Sequence, residues 1–294
     1  MSGTRFEGTI RGDTREERAK LLQWEHNGIA IFQSTLYKTV SAVIETEDMV
    51  LVSDPCWLPH EVERIRCYAI DKAGDRPLYI LFTHSDFDHI IGCGAFPEAQ
   101  VIASYALADK NDEQREQILE KIHTFDDDYY VTRDYPIIYP EVSYPVSEEG
   151  QQLKIGNTTL TFYHAQGHND DGIFTIVEPL GVWLAGDYLS DLEFPYIYHS
   201  SKRYEETIAK VSSILARHSI SMLVPGHGQF TEDIEEIRRR QDKDEHYIHS
   251  LRSAIVAGDE QRMAALIQGC PYPRNMQQFH RNNQLLIERE LHSN

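Results

Sequence analysis

The sequence predicts an α/β fold, and three observations support this prediction. Runs of apolar, β-forming residues cluster before about residue 104 and again from about 151 to 224, which suggests two strand layers. Helical periodicity between strands of the first block is typical of a βαβ unit. Residues 229–294 are helical in pattern throughout, so we expect a C-terminal helical extension after the strand-rich part.

In the first block, three strands lead into the βαβ unit. The helix of that unit is predicted at 59–73 from the helical spacing of its apolar residues. The next strand, 78–83, is an unbroken apolar run that is typical of a strand buried on both faces. Residues after Thr83 therefore lie at the carboxyl end of a buried strand, where open α/β sheets build their sites. The other strands of this block are predicted at 29–33, 39–44, 49–52 and 100–104.

The segment between the two blocks differs in composition. A helix is expected from about Tyr105 to Ile122, whereas residues 124–150 contain an acidic run, several tyrosines, three prolines and no helical period. We interpret residues 124–150 as a surface insertion or as a lid that faces the substrate. Further along, strands are predicted at 152–155, 158–164, 173–177, 182–185 and 221–224, and helices at 203–217, 234–257, 259–267 and 277–291.

Composition and charge exclude several classes of function. The chain carries 28 Lys and Arg against 47 Asp and Glu, a formal net charge of -19, which argues against nucleic acid and anionic membranes as partners. No apolar run approaches the length of a spanning helix, and the N-terminus lacks a signal-peptide pattern. Four cysteines without CxxC spacing predict reduced, mostly buried thiols. We therefore expect a cytoplasmic protein that acts on a small molecule.

The strongest chemical signal follows the buried strand at 78–83. His84, Asp86, Asp88 and His89 place four potential metal ligands within six residues. Imidazole nitrogens and carboxylate oxygens are the donors that borderline and hard divalent ions select. In an extended segment His84 and Asp86 point the same way, and the start of a helix then adds Asp88 and His89, so two metals can be served. The alternative is a set of helix-capping aspartates and surface histidines.

Three later motifs accompany this cluster in a fixed order. They are Gly167-His168, Ala185-Gly186-Asp187 and Pro225-Gly226-His227-Gly228. With them, about residues 28–228 resemble the metallo-β-lactamase superfamily, whose signature is HxHxDH after a strand-end Thr. The resemblance implies a four-layer αββα sandwich with a metal site at one edge between the sheets. It also implies a domain over 1–228, with the insertion at about 124–150, and a C-terminal extension over 229–294. We expect that extension to pack on the domain, although it could also close over the site or form a homodimer.

The resemblance implies a ligand set for two divalent metal ions. The first ion would be held by His84, Asp86 and His168, and the second by Asp88, His89 and His227, with Asp187 bridging both. Asp86 stands where most family members have histidine. Three carboxylates and a bridging hydroxide would then balance two divalent ions, which leaves Zn, Fe and Mn open, with Zn favoured.

The implied activity is metal-dependent hydrolysis. A metal-bridging hydroxide would attack a small ester, thioester or lactone-like substrate, with Asp88 as a catalytic residue that orients the nucleophile or relays its proton. Three alternatives stay open: a di-iron redox or oxygen-binding protein related to flavodiiron proteins, which also carry a carboxylate at the place of Asp86; a phosphodiesterase; and a non-catalytic metal-binding module.

Further candidates surround this predicted site. Tyr188, Tyr196 and His199 follow the bridging aspartate, where members of the family often place substrate-contacting residues. Asp54 ends a strand beside the site, where it could support the other nitrogen of a liganding histidine or cap a turn.

Overall fold

Two β-sheets pack face to face at the centre of the protein. The computed structural model describes residues 21–293. The first sheet has the spatial order β1 to β7: β1 Leu22–His26, β2 Ile29–Gln33, β3 Val40–Glu45, β4 Val50–Ser53, β5 Leu78–Leu81, β6 Gln100–Ser104 and β7 Tyr144–Val146. The second sheet has the order β12-β11-β10-β9-β8: β8 Gln152–Ile155, β9 Thr158–His164, β10 Ile173–Glu178, β11 Val182–Gly186 and β12 Met222–Pro225.

Both sheets mix parallel and antiparallel pairs. The β1–β2, β2–β3 and β3–β4 pairs are antiparallel, whereas the β4–β5, β5–β6 and β6–β7 pairs are parallel. In the second sheet only the β11 and β12 pair is parallel. As a result, β5, β11 and β12 all deliver the chain that follows them to the edge where the predicted metal motifs lie.

Helices cover the outer face of each sheet, which gives four layers. They are α1 Pro59–Ala73, α2 Phe87–Ile90, α3 Tyr105–Ala108, α4 Asp112–Asp128, α5 Ser201–Arg217, α6 Ile234–Ala257, α7 Glu260–Ala265 and α8 Pro273–His292. Alternation along β2 explains the layering, because Ile29 and Ile31 join the apolar cluster between the sheets while Ala30 and Phe32 join the cluster beneath α1.

The C-terminal helices pack on the second sheet. Ile237 of α6 and Ile287 of α8 belong to the same buried cluster as Phe174 of β10 and Trp183 of β11. Gly258 ends α6 with a left-handed conformation (φ 65°), which suits a residue without a Cβ. Within residues 21–293, none of the helices combines the length and the apolar character needed to cross a bilayer.

The region of the predicted insertion is more regular than expected. Asn111 accepts a hydrogen bond from the Gln114 N–H and starts a new helix, so the single helix expected at 105–122 is wrong. Helix α4 continues to Asp128, and β7 at 144–146 joins the first sheet. Apolar periodicity did not reveal the last turn of α4 because most of its side chains are exposed.

The cysteines are less buried than expected. Cys56 and Cys93 are buried, Cys270 is partly buried and Cys67 is exposed, so the prediction of burial holds for half of the thiols.

Candidate metal centre

All seven predicted ligands converge at one edge of the two sheets. The segment after β5 carries His84, Asp86, Asp88 and His89, and α2 begins within it. Loops after β9, β11 and β12 contribute the other three side chains, which are His168, Asp187 and His227. The ligand atoms form two groups, within each of which every atom lies within 4.8 Å of the others. One group is His84, Asp86, His168 and Asp187, and the other is Asp88, His89 and His227.

Asp187 lies between the two groups. Its Oδ2 is 3.3 Å from His168 Nε2, 3.8 Å from His84 Nε2 and 3.3 Å from His227 Nε2. Its Oδ1 is 3.1 Å from His89 Nε2. One carboxylate therefore faces all four imidazoles, as a ligand shared by two ions would.

Each group has a further carboxylate of its own. In the first, Asp86 Oδ2 is 3.1 Å from His168 Nε2 and 3.7 Å from His84 Nε2. In the second, Asp88 Oδ2 is 3.6 Å from His89 Nε2 and 3.4 Å from His227 Nε2. The two groups are thus chemically alike, each with two imidazoles and a carboxylate beside the shared Asp187.

Two of the histidines are oriented by backbone carbonyls behind the site. His168 Nδ1 lies 2.6 Å from the carbonyl oxygen of Tyr196, and His227 Nδ1 lies 2.9 Å from that of Tyr37. A carbonyl accepts but does not donate, so each Nδ1 carries the proton. Each Nε2 therefore faces the centre, where it can give up its proton and bind a metal.

The other two histidines depend on Asp54. His89 Nδ1 lies 3.1 Å from Asp54 Oδ2, and the Thr83 hydroxyl donates to the same oxygen at 2.6 Å. Because that hydroxyl proton is committed to Asp54, the Thr83 oxygen accepts from His84 Nδ1 at 3.0 Å. Asp54 is buried and also accepts the Thr83 N–H at 2.9 Å. One carboxylate thus contacts His89 directly and His84 through Thr83.

The donor atoms at the centre fit a pair of divalent cations. His84 Nε2, His89 Nε2 and Asp187 Oδ1 are buried, and although the last two lie 3.1 Å apart, none of the three makes a well-aligned hydrogen bond among the described residues. Buried polar atoms in native proteins are almost always paired, and bound cations would pair these. Four imidazoles with three carboxylates also match the ligand preference of zinc and of other first-row divalent ions.

Electrostatics at the centre point the same way. Burial lowers the pKa of His168, but the charges of Asp187 and Asp86 outweigh burial and raise that pKa to about 9. Burial raises the pKa of Asp187, but the surrounding imidazoles outweigh it and hold that pKa well below its usual range. Protons on imidazoles thus balance the carboxylates, and a divalent cation would take their place.

The glycine before His227 is required by this geometry. A Cβ at Gly226 would lie 2.2 Å from Asp187 Oδ1 and 2.9 Å from a ring carbon of His89. The second of these contacts involves a ring packed against its neighbours and held by Asp54, so a larger residue would push the centre apart.

The sequence of this chain also matches a known protein superfamily. The sequence model of the metallo-beta-lactamase superfamily matches residues 35–248, well over half of the chain. The chain belongs to the metallo-beta-lactamase superfamily. The predicted family is therefore confirmed, and so is the predicted sandwich of two sheets flanked by helices, with additional helices at the C-terminus.

Individual relatives in this superfamily are distant. The acyl-coenzyme A thioesterase MBLAC2 of Gallus gallus is 26% identical over 169 residues, which cover 53% of this chain and 58% of that protein. The match thus spans less than two thirds of that relative. A metallo-beta-lactamase family protein from Thermus thermophilus has a TM-score of 0.62 and 17% identity, over 90% of this chain and 93% of that one. The sec-alkylsulfatase Pisa1 from Pseudomonas sp. has a TM-score of 0.59 and 12% identity, over 84% and 45%. At these identities the structures share the fold.

The cleft above the centre of this superfamily member has aromatic walls. It has a volume of about 160 Å³, and its floor is formed by Asp86, Asp88, Asp187, His168 and His227. Its aromatic lining forms two groups of rings in contact, Tyr37 with Trp57 and Phe87, and Tyr196 with Tyr198 and Phe279. Glu193 and Lys121 complete the lining, and Lys121 is the one Lys or Arg among the described residues that form it.

The predicted substrate residues divide into two kinds. Tyr196 lines the cleft, whereas Tyr188 and His199 do not. The Tyr188 hydroxyl is buried, accepts the His168 N–H at 2.9 Å and donates to a backbone carbonyl, so it braces the His168 loop. His199 is exposed and donates its N–H to the Gly167 carbonyl at 3.1 Å. Tyr198 lines the cleft beside Tyr196, and Ile197 between them is buried.

Sequence reasoning missed most of the cleft lining. Trp57, Phe87 and Phe279 come from a loop, a short helix and the C-terminal extension, and no motif joins them. The alternation of Tyr196 and Tyr198 was the one available signal.

Proposed function

We propose that this protein is a metal-dependent hydrolase that uses two divalent ions to cleave acyl thioesters or related esters. The observation that carries the proposal is the convergence of four Nε2 atoms and three carboxylates at the floor of an aromatic cleft. His84, Asp86 and His168 would hold one ion, Asp88, His89 and His227 the other, and Asp187 both. When bound, such ions lower the pKa of water towards neutrality and polarise a carbonyl oxygen.

The chain's own residues provide orientation and a place for a proton. Asp88 borders the cleft with 13% of its side chain exposed, beside two imidazoles. Its carboxylate can accept a proton from the nucleophile and pass it to a leaving group at the same floor. Asp54, Thr83 and the carbonyls of Tyr37 and Tyr196 fix the histidines before substrate arrives, so the centre need not reorganise during the reaction.

The residues that line the cleft favour a substrate with an apolar acyl group and an anionic leaving group. Six aromatic rings line the cleft, where an apolar group would be removed from water. Lys121, exposed on α4, supplies a positive charge to the same cleft. The relative named as an acyl-coenzyme A thioesterase supports the thioester in particular.

Matched substrates test this proposal. Acyl thioesters, oxoesters and lactones with one common acyl group would be offered with and without a chelator, and a phosphodiester would be offered beside them. We expect chelator-sensitive turnover that is fastest with the thioester of an anionic thiol. Turnover of the phosphodiester alone would replace the proposed substrate class, and an absence of chelator-sensitive turnover on every substrate would refute the hydrolase.

A further inference from the structure

The C-terminal helix α8 reaches the metal centre through the segment 194–198. This segment lies between α8 on one side and the His168 loop on the other. Helix α8 lies outside residues 35–248, the part of the chain that matches the superfamily model. Its contribution is therefore an addition to the matched domain.

Asn283 of α8 holds the backbone of this segment from both sides of Tyr196. Its Oδ1 accepts the Ile197 N–H at 3.0 Å, and its Nδ2 donates to the Pro195 carbonyl at 2.6 Å. The side chain is fully buried, and Nδ2 also donates to the Tyr247 hydroxyl at 3.0 Å. A primary amide both accepts and donates from one position, so few side chains can replace it here.

The segment in turn holds His168 at two points. The Tyr196 carbonyl accepts from His168 Nδ1 at 2.6 Å, and the Tyr198 N–H donates to the His168 carbonyl at 2.9 Å. The two residues bonded to Asn283 flank Tyr196. A shift of this backbone would therefore move the acceptor that orients the imidazole.

Aromatic stacking holds the same segment to the C-terminal helices. The rings of Tyr196 and Phe279 are 3.9 Å apart and inclined by 26°. Phe194 stacks on Tyr247 of α6 at 4.6 Å. Phe279 also lines the cleft, so one face of α8 both supports the segment and forms part of the substrate wall.

We propose that Asn283 is a positioning residue for the metal-binding His168, and that α8 is an integral part of the metal centre. The proposal rests on the proposed metal-binding function. Asn283 fixes the Tyr196 carbonyl, the carbonyl fixes the tautomer and the direction of the His168 ring, and Nε2 then faces Asp86 and Asp187. The extension thus does more than cover an apolar face of the domain.

Chelator-competition titration with Zn(II) tests the proposal without relying on activity. Asn283→Leu keeps a similar volume but removes the hydrogen bonds to Pro195 and Ile197. Ile287→Ala is the matched control, because Ile287 is fully buried on the same helix and packs in the apolar cluster on the second sheet. Tyr247→Phe is a milder variant, since it removes one acceptor of Asn283 and leaves the amide in place.

For Asn283→Leu, we expect one of two zinc dissociation constants to rise about tenfold, as is typical when the support of a liganding histidine is lost. Tyr247→Phe should change the same constant in the same direction by less, and it tests the proposal even if Asn283→Leu does not fold. Ile287→Ala should lower the melting temperature and leave both constants unchanged. Unchanged zinc binding in Asn283→Leu, at a melting temperature as low as that of Ile287→Ala, would overturn the proposal.

The titration also separates this proposal from the proposed function. If the wild-type protein binds two zinc ions but hydrolyses none of the substrates, the hydrolase is wrong while the role of Asn283 is still decided by the variants. If the wild-type protein binds no zinc, the metal centre itself is wrong, and the positioning role falls with it.

Discussion

The two sheets support their metal-site histidines in different ways. In the first sheet, His84 and His89 both depend on the Asp54 carboxylate, directly or through Thr83. In the second sheet, each histidine depends on the backbone carbonyl of another loop, Tyr196 for His168 and Tyr37 for His227. One substitution can remove a carboxylate, but a carbonyl is displaced only by changing what holds its segment. The first half of the centre is therefore oriented by one buried side chain, and the second half by the backbone of two packed segments.

Removing the ligand shared by the two halves should have the largest effect. Asp187→Ala takes a carboxylate from the reach of all four imidazoles. We expect loss of both ions and of all detectable hydrolysis, measured by metal analysis and substrate turnover. His89→Ala should also abolish activity and lower metal content. Asp170→Asn is the control, because this aspartate is half exposed and pairs with Lys110 outside the cleft. Full activity in Asp187→Ala would contradict the ligand assignment.

Asp54→Asn tests the half of the centre that one side chain orients. The amide keeps the shape but offers one acceptor oxygen where the carboxylate serves three donors from Thr83 and His89. We expect metal affinity to fall by about 10- to 100-fold, in chelator competition, because two histidines lose their support. Asp48→Asn is a matched control, since Asp48 accepts backbone N–H groups at the turn between β8 and β9, far from the centre. Equal affinities in the two variants would show that the Asp54 carboxylate does not support His84 and His89 as ligands.

The pH dependence should separate metal-free from metal-loaded protein. The pKa of His168 is raised from 6.5 to about 9, so its proton stabilises the metal-free fold below pH 6.5, and this contribution is lost as pH rises through about 9. Zinc binds neutral imidazole, so affinity should instead rise over this range, by about tenfold per pH unit for each proton displaced. Denaturation at several pH values, with and without zinc, measures both slopes. Parallel slopes would show that zinc does not compete with the proton on His168.

The smallest expected effect concerns the cleft rather than the centre. Lys121→Ala should raise KM about threefold for the thioester of an anionic thiol, the size expected of an exposed ion pair, and leave kcat unchanged. The same acyl group on a neutral thiol serves as control, with Lys121→Arg as the charge-preserving variant. A KM that rises equally for both thioesters would assign Lys121 a role other than charge recognition.

Local patterns in the sequence predicted the centre better than they predicted the cleft. His84 to His89 form one short motif, and the other three ligands each follow a recognisable strand end, so their convergence could be expected. Asn283 contacts Ile197 and Pro195, which precede it in the chain by 86 and 88 positions, and no periodicity links them. Contacts of this kind depend on how the extension packs, which single-sequence patterns do not encode. The cytoplasmic location and the homodimer that we expect from the sequence stay predictions.

Anomalous diffraction from crystals grown with zinc tests the central claim most directly. We predict two peaks roughly 3.5–4 Å apart. Asp187 should lie between them, with His84, Asp86 and His168 around one and Asp88, His89 and His227 around the other. A single ion, or a pair of ions held by other residues, would contradict the account.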